Sequence, residues 1–244
     1  MEKKRALIVW GGWLGHQPEE VAGLYREILL KEGFDVEVSN TLQAFEDLEK
    51  LKTLDLIIPN WTMESDLHME IVTNVSSAVQ LGVGLAGTHG GMCDMLRYNV
   101  DWQFMTGGNW VAHPGNDGTE YVVNIKHSSS PLLEGMEDFT VVSEQYYLHV
   151  DPAVEVLATT RFPNPKAPYG PHVTNRSVDM PVVWTKRWGE GKVFYCSLGH
   201  QANIIDMPQV SEILRRGFLW AANNQQREIS QRLTQVYTGM GDSQ

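Results

Sequence analysis

The sequence predicts an α/β fold built on a doubly wound, mostly parallel sheet. One observation is a set of short apolar, β-branched runs, such as Ala6–Trp10 and Leu54–Pro59, which are typical of strands buried on both faces. The second is that these runs alternate with segments whose apolar residues recur at helical spacing. Strands that alternate with helices pair in parallel through right-handed crossovers, so the alternation predicts the sheet.

The first predicted unit is a strand, a loop and a helix. Ala6–Trp10 forms the strand and Gly11-Gly12 ends it. Pro18 opens the helix, which Gly33 closes, and its apolar residues lie on one stripe that faces a sheet. The pattern then repeats, and the next predicted elements are the strands Phe34–Val38, Leu54–Pro59 and Gly82–Ala86 and the helix Glu64–Gln80.

In the second half, strands separated by turns predict that the sheet becomes mixed. The loop Gly189-Glu190-Gly191 indicates a hairpin between the last two strands, and a helix over Pro208–Asn224 packs back on the sheet. The strands predicted here are Glu120–Ile125, Phe139–Val142, Val154–Thr160, Pro181–Trp188 and Lys192–Ser197.

No stretch of the chain has the length or composition of an interdomain linker, so we predict one α/β domain over residues 1–224. Residues 225–244 are polar and weakly amphipathic, which predicts a helical or partly disordered tail. The segment Arg161–Asp179 is irregular and rich in Pro and Gly. It is either a surface loop or a lid over the site.

Composition and charge exclude several classes of function. The chain has 244 residues, of which 42% are hydrophobic, and its 19 Lys+Arg against 30 Asp+Glu give a formal charge of -11. A nucleic acid is therefore an unfavourable partner. The apolar runs are too short to cross a bilayer. Two cysteines, Cys93 and Cys196, and the absence of a cleavable leader predict free thiols and a cytoplasmic location.

Three histidines follow predicted strands, where open parallel sheets bind ligands. They are His16, His89 and His200, and any one of them alone could be structural. His89 stands in Gly87-Thr88-His89-Gly90-Gly91, which resembles the strand-to-helix elbow that projects a central side chain. An imidazole there could act as a general base, a proton shuttle or a metal ligand, or the glycines could only permit close packing.

The segment Glu144 to His149 combines a carboxylate, two phenols and an imidazole. In an extended chain Glu144 and Tyr146 share one face, and His149 lies on the other. Glu144 could be a general acid or base, orient a histidine, complete a metal site, or simply be a surface charge. Trp13 and Trp110 adjoin glycines and could stack on sugar rings. A site for a divalent ion such as zinc would have to be assembled from distant residues, for which we name His16, His89, Glu144 and His200.

Five motifs follow one another along the chain. They are Gly15 to Glu20, Gly87 to Gly91, Gly107 to Trp110 with His113-Pro114, Glu144 to His149, and Pro181 to Trp184 leading to Ser197 to His200. In this order they resemble the trehalose-utilisation (ThuA-type) proteins, over roughly residues 5 to 224. The resemblance implies a flavodoxin-like three-layer α/β sandwich of the class I glutamine amidotransferase-like kind. It also implies a role in the metabolism of trehalose and related disaccharides or their 3-keto derivatives, together with a sugar oxidoreductase of the same pathway.

The sequence differs from true glutamine amidotransferases at two motifs that carry their catalytic residues. Their elbow cysteine is His89 here, and their His-x-Glu motif reads His200-Gln201-Ala202, so glutamine hydrolysis by that route is not expected. Our first hypothesis is a sugar-modifying enzyme of hydrolase, lyase or isomerase type. Its catalytic residues are His89, Glu144 and His200. The substrate is surrounded by Trp13, His16, Trp110, His113, Tyr146 and His149.

Two other hypotheses stay open. One is a non-catalytic sugar-binding or assembly protein that kept an amidotransferase-like fold, and the other is hydrolysis through Cys93. Convergence of the histidines and a carboxylate on one cavity favours catalysis, whereas scattered imidazoles favour binding. A homo-oligomer is compatible with each hypothesis.

Overall fold

The computed structural model describes residues 3–66, 68–126, 130–164 and 176–223. Strands make up a large sheet and a small ribbon. They are β1 (Arg5–Gly12), β2 (Asp35–Ser39), β3 (Leu56–Thr62), β4 (Gly84–Thr88), β5 (Gly108–Ala112), β6 (Thr119–Ile125), β7 (Phe139–Ser143), β8 (Tyr147–Val150), β9 (Glu155–Phe162), β10 (Val178–Trp188) and β11 (Gly191–Cys196).

The helices lie between strands and on both faces of the sheet. They are α1 (Pro18–Lys31), α2 (Leu48–Leu51), α3 (Met69–Gln80), α4 (His89–Cys93), α5 (Val100–Thr106), α6 (Ala202–Ile205) and α7 (Pro208–Ala222).

The large sheet has nine strands in the order β2-β1-β3-β4-β11-β10-β9-β6-β7. The first five strands are parallel neighbours, and from β11 onward each strand is antiparallel to the next. The predicted α/β fold with a mostly parallel central sheet is therefore confirmed. The predicted β10–β11 hairpin is also present, with Trp188 opposite Gly191 across its turn.

Two hydrophobic cores lie on the two faces of the sheet and give three layers. Along β1, Ala6 and Ile8 pack with α1 and α7, whereas Leu7 and Val9 pack with the layer that contains α3 and α5. Successive side chains of a strand point to opposite faces, which explains why Ala6 to Val9 of β1 are all apolar. In the inner strands β3 and β4, burial on both faces leaves the polar residues near the carboxyl ends.

One predicted helix boundary is wrong. The helix that we predicted from Glu64 begins at Met69 instead. Met63 and His68 both have positive φ angles, and the amide of Glu64 donates to the carbonyl of Met95 at 2.9 Å. The chain between β3 and α3 is therefore tied to the loop after α4 and does not wind into a helix.

The sequence also missed a two-stranded ribbon and the helix before it. In the ribbon β5 pairs with β8 in antiparallel fashion, and α5 leads directly into β5. The ribbon is outside the nine-stranded sheet and carries Trp110, while Tyr146 immediately precedes β8.

Two regions singled out in the sequence fall outside the described residues. These are the tail 225–244 and residues 165–175, which make up most of the segment Arg161–Asp179. In the described part of the chain, none of the helices has the length and apolar character that crossing a bilayer requires.

Candidate active site

Three histidines lie together at the carboxyl ends of the parallel strands. His16 ends a short helical turn after β1, and His89 is the first residue of α4, directly after β4. His200 follows β11, in the loop that leads to α6. Because β1, β3, β4 and β11 are consecutive in the sheet, the loops after them meet at one edge. The sequence prediction that they share this edge agrees with the structure.

The backbone of His89 has the left-handed conformation, with φ of 47°. Non-glycine residues rarely adopt it, and it persists where surrounding contacts enforce it. The hydroxyl of Tyr195 donates to the His89 carbonyl at 3.0 Å, and the ring of His89 stacks on Tyr146 at 4.0 Å between centroids. The strand-to-helix turn therefore projects a fixed imidazole into the site.

Glycines let this turn approach its neighbours. A Cβ atom at Gly90 would lie 2.8 Å from Thr62 Cγ2 and 2.9 Å from His16 Cε1, and one at Gly91 would lie 2.9 Å from the Cα atom of Asn60. Any larger residue at either position would push α4 away from the end of β3. The glycines thus set the distance between His89 and His16.

The three imidazoles form a compact cluster. Their ring centroids are 4.9 Å apart for His16 and His89, 5.1 Å for His16 and His200, and 5.4 Å for His89 and His200. All three side chains are buried. Burial first, and then the positive charges that His89 and His200 could carry, lower the pKa of His16 to about 3. His16 is therefore a neutral imidazole at physiological pH.

Glu144 supplies the carboxylate of the cluster and comes from the loop between β7 and β8. Its Oε2 atom lies 3.1 Å from Nε2 of His89 and 3.3 Å from Nδ1 of His200, and its Oε1 atom lies 3.7 Å from Nδ1 of His113. Tyr121 holds the backbone by donating to the Glu144 carbonyl at 3.0 Å. Burial opposes ionisation of Glu144, but the contacts with His200 and His89 outweigh it and hold its pKa well below the usual range.

Neighbouring groups fix the orientation of two of the imidazoles. Nδ1 of His16 lies 2.9 Å from Thr62 Oγ1, which leaves its Nε2 atom for the site. Nδ1 of His89 lies 2.9 Å from the carbonyl oxygen of Ser197, which can only accept, so this nitrogen carries a proton. Nε2 of His89 is then the nitrogen that faces Glu144.

This orientation places two acceptors opposite each other unless something lies between them. A neutral His89 presents its Nε2 lone pair to Oε2 of an ionised Glu144, and Nδ1 of His200 beside the same oxygen is buried and has no aligned hydrogen-bond partner among the described residues. Either a proton on His89 or a cation would satisfy this arrangement.

The same atoms fit the requirements of a divalent metal ion. One ligand atom from each of His16, His89, Glu144 and His200 can be chosen so that all four lie within 4.8 Å of one another. Tetrahedral ligands about 2.1 Å from zinc are about 3.4 Å apart. The Nδ1 atoms of His16 and His89 are hydrogen-bonded to Thr62 and Ser197, respectively, which leaves each Nε2 atom to bind the metal. Zinc-bound histidines are oriented in the same way. The donor set is therefore compatible with zinc.

His16, Glu144 and His200 of the cluster line a cavity of about 400 Å³, within the size range of small-molecule sites. Aromatic and charged side chains line the remainder. The lining residues are Trp13, His16, Met63, Asp94, Arg97, Trp110, His113, Asn116, Asp117, Glu144, Tyr146 and His200.

The sequence matches the family model for trehalose utilisation, ThuA, over residues 5–221. The chain belongs to the ThuA family. No curated protein matches the sequence.

Solved structures share the ThuA fold at low identity. A ThuA-like protein from Parabacteroides merdae is 17% identical, with a TM-score of 0.68 over 91% of each chain. One from Bacteroides uniformis is 19% identical, with a TM-score of 0.67 over 89% of this chain and 91% of that one. A glutamine amidotransferase from Thermotoga maritima is 8% identical, with a TM-score of 0.50 over 80% of this chain and 75% of that one. The amidotransferase-like architecture expected from the motifs is thus present.

Most of the residues that we named from the sequence meet in the cavity of this ThuA protein. His89 adjoins it through Glu144 and Tyr146, and His149 does not reach it. His149 lies on the exposed face of β8, opposite Asn109, and lines a separate cavity of about 410 Å³. Alternation along the extended chain separates it from Tyr146, as the two-residue period requires. Cys93 is buried beneath the elbow and is not among the residues that line the active-site cavity.

Sequence reasoning missed several residues of the ThuA site. Thr62 and Ser197 orient His16 and His89, and Asp94 and Arg97 form part of the cavity wall. Asp94 and Arg97 come shortly after the elbow motif and are three residues apart, and this spacing was the available sequence signal for an ion pair. That spacing is equally common in exposed helical ion pairs, so the sequence alone did not distinguish them.

Proposed function

We propose that this ThuA protein is an enzyme that acts on trehalose, a related disaccharide or a 3-keto derivative of one. The observation that carries the proposal is a buried cluster at the cavity, in which His89 and His200 both contact Glu144 and His16 packs against both of these imidazoles. Buried imidazoles with a lowered pKa beside a buried carboxylate are typical of acid–base centres. The family description supplies the class of substrate.

The chain's own residues can move a proton at this centre. Nε2 of His89 is held against Glu144 by the contact of Nδ1 with Ser197, so a proton on this nitrogen is stabilised by the carboxylate. Glu144 lines the cavity, so it can pass this proton to a substrate atom and take one back, and His200 contacts the same carboxylate oxygen. General acid–base catalysis of this kind contributes about 10²–10⁴-fold to a rate.

The rest of the cavity suits a sugar ring. Trp13 and Trp110 offer apolar ring surface, while Asn116, Asp117 and His113 offer hydrogen-bonding groups. If the four-residue set holds a zinc ion, the ion supplies polarisation of a substrate carbonyl or hydroxyl. Production of 3-keto sugars needs a sugar oxidoreductase, which would be the metabolic partner of this enzyme.

The test compares His89→Gln with a matched histidine outside the cavity, His149→Gln. Purified variants are incubated with trehalose, its 3-keto derivative and related disaccharides, and products are followed by NMR while metal content is measured by mass spectrometry. We expect His89→Gln to lose at least about 10²-fold in turnover and His149→Gln to match the wild type.

Two results would contradict the proposal. Turnover that persists in His89→Gln would remove His89 from the chemistry. Binding of sugar by the wild type without any turnover of the panel would favour the alternative, a sugar-binding or assembly protein. Circular dichroism of both variants separates loss of chemistry from loss of folding.

A further inference from the structure

A second polar group lies in the cavity wall outside the His/Glu cluster. It consists of Asp94, at the end of α4, and Arg97, and both line the cavity together with Trp110. The Asp94 side chain is almost completely buried, whereas that of Arg97 is 23% exposed. The proposed acid–base chemistry does not use either residue.

The pair is rigid. Nε of Arg97 donates to Oδ1 of Asp94 at 2.8 Å, and Nη2 donates to Oδ2 at 2.7 Å, so the guanidinium and the carboxylate are joined through two parallel bonds. The guanidinium also lies over the indole of Trp110, 4.4 Å from its centroid. The amide of Met63 donates to the Asp94 carbonyl and fixes the backbone. A wall of this kind is preorganised for one ligand geometry.

The charges in the wall disfavour an anionic ligand. Among the described residues that line the cavity, Asp94, Asp117 and Glu144 are acidic, and Arg97 is the single lysine or arginine. The positive charge of Arg97 is already engaged by Asp94. A phosphate group would meet an excess of negative charge there, whereas hydroxyl groups can both donate to the carboxylate and accept from the guanidinium.

We infer that Asp94 and Arg97, supported by Trp110, form a specificity-determining subsite that binds neighbouring hydroxyl groups of an uncharged sugar ring and rejects its phosphorylated form. Asp94 has two tasks in this subsite: it accepts from the sugar and it keeps Arg97 from binding phosphate. The inference rests on the proposed function, because it takes the ligand of this cavity to be a sugar.

The test is calorimetric titration with trehalose, its 3-keto derivative and trehalose 6-phosphate. We expect the wild type to prefer the neutral sugars. Asp94→Asn preserves the size of the side chain and releases Arg97, so it should shift the preference toward the phosphorylated sugar by about tenfold or more, the size of one charge-assisted hydrogen bond. Arg97→Met should weaken the neutral sugars without improving the phosphorylated one.

The matched control is Asp179→Asn, which breaks an exposed pair with Arg161 on strands β9 and β10. It should leave both affinities unchanged. An unaltered preference in Asp94→Asn, with neutral sugar still bound, overturns the inference and leaves the proposed function in place. If the wild type binds neither form of sugar, the proposed function is wrong, and the subsite inference that rests on it is wrong as well.

Discussion

His89 shows how single residues shape this site. It occupies a left-handed backbone conformation that costs a non-glycine residue about 1–3 kcal/mol. Contacts with Tyr195, Ser197 and Tyr146 hold it in place. A histidine at this position can reach Glu144 only because the residues beside it have no side chain to separate α4 from β3. The geometry of the site is therefore as sensitive to the glycines as to the histidines.

Adding one methyl group at Gly91 tests this dependence. A Cβ atom there would lie 2.7 Å from Oδ1 and 2.9 Å from Cα of Asn60, so Gly91→Ala should lower the free energy of unfolding by about 1–3 kcal/mol. Gly23 lies on the exposed face of α1, where an added methyl group would meet open space, so Gly23→Ala should raise it by about 0.5–1 kcal/mol. Urea unfolding measures both. Equal changes in the free energy of unfolding for Gly91→Ala and Gly23→Ala would show that the space between α4 and β3 accommodates a methyl group.

At the scale of elements, the short helix α5 and the ribbon β5–β8 complete the site. The helix leads from the loop that carries Asp94 and Arg97 into β5, and the ribbon holds Trp110 beside Tyr146, which precedes β8 and stacks on His89. Trp102 anchors α5 because its indole donates to the Met92 carbonyl at 2.9 Å. Short elements of this kind depend on capping and on packing more than on helix propensity.

The N-cap of α5 should therefore matter to stability. The side-chain oxygen of Asn99 accepts from the amides of Asp101 and Trp102, both at 3.0 Å. Asn99→Ala removes these bonds and should lower the free energy of unfolding by about 1–2 kcal/mol, while Asn99→Asp should recover part of it. Thr41→Ala, at an exposed cap with a longer contact, is the control and should cost less. A loss in Asn99→Asp as large as in Asn99→Ala would contradict a capping role.

Helix α7 offers a prediction about pH. Arg215 and Arg216 both donate to Glu212, and Arg215 also reaches Glu32 at the end of α1. The bonds from Arg215 outweigh burial and, together with Arg216, lower the pKa of Glu212 from 4.5 to about 2. A carboxyl with a lowered folded-state pKa stabilises the protein above its unfolded value, and this contribution disappears as the pH falls from 4.5 toward 2.

Glu212→Gln should consequently be destabilising near pH 7 and progressively less so in acid. The side chain is about one-third exposed, so the difference at neutral pH should stay below about 1 kcal/mol. Urea unfolding of both proteins between pH 7 and pH 3.5 measures it. A difference that stays constant over this interval would mean that the ion pairs do not contribute.

At the scale of the whole molecule, the sheet separates two cores that each contain one cysteine. Cys93 packs in the layer with α3 and α5, and Cys196 in the layer with α1 and α7. Burial raises the pKa of both thiols, that of Cys196 to about 12. Little thiolate is present at pH 8, and neither sulfur is accessible, so both should be unreactive in the folded protein.

Labelling with iodoacetamide can then report whether the layers unfold together. We expect neither thiol to react in the native state at pH 8, and both to react at the same rate once urea unfolds the chain, because the central sheet belongs to both cores. Mass spectrometry of peptides quantifies each site. Much faster labelling of Cys93 than of Cys196 would show that the α3–α5 layer opens on its own.

The sequence by itself determined the alternation of strands and helices, the family and the edge of the sheet where His16, His89 and His200 lie. These features follow from local apolar patterns and from the rule that loops after parallel strands share one edge. Alternation along an extended chain also put His149 on the face opposite Glu144 and Tyr146. Only the tertiary structure decided that Glu144 contacts His89 and His200, that a separate cavity lies beside His149, and that Asp94 and Arg97 border the site. Those outcomes depend on how the β5–β8 ribbon and the antiparallel strands pack against the parallel half, which brings together residues far apart in the chain.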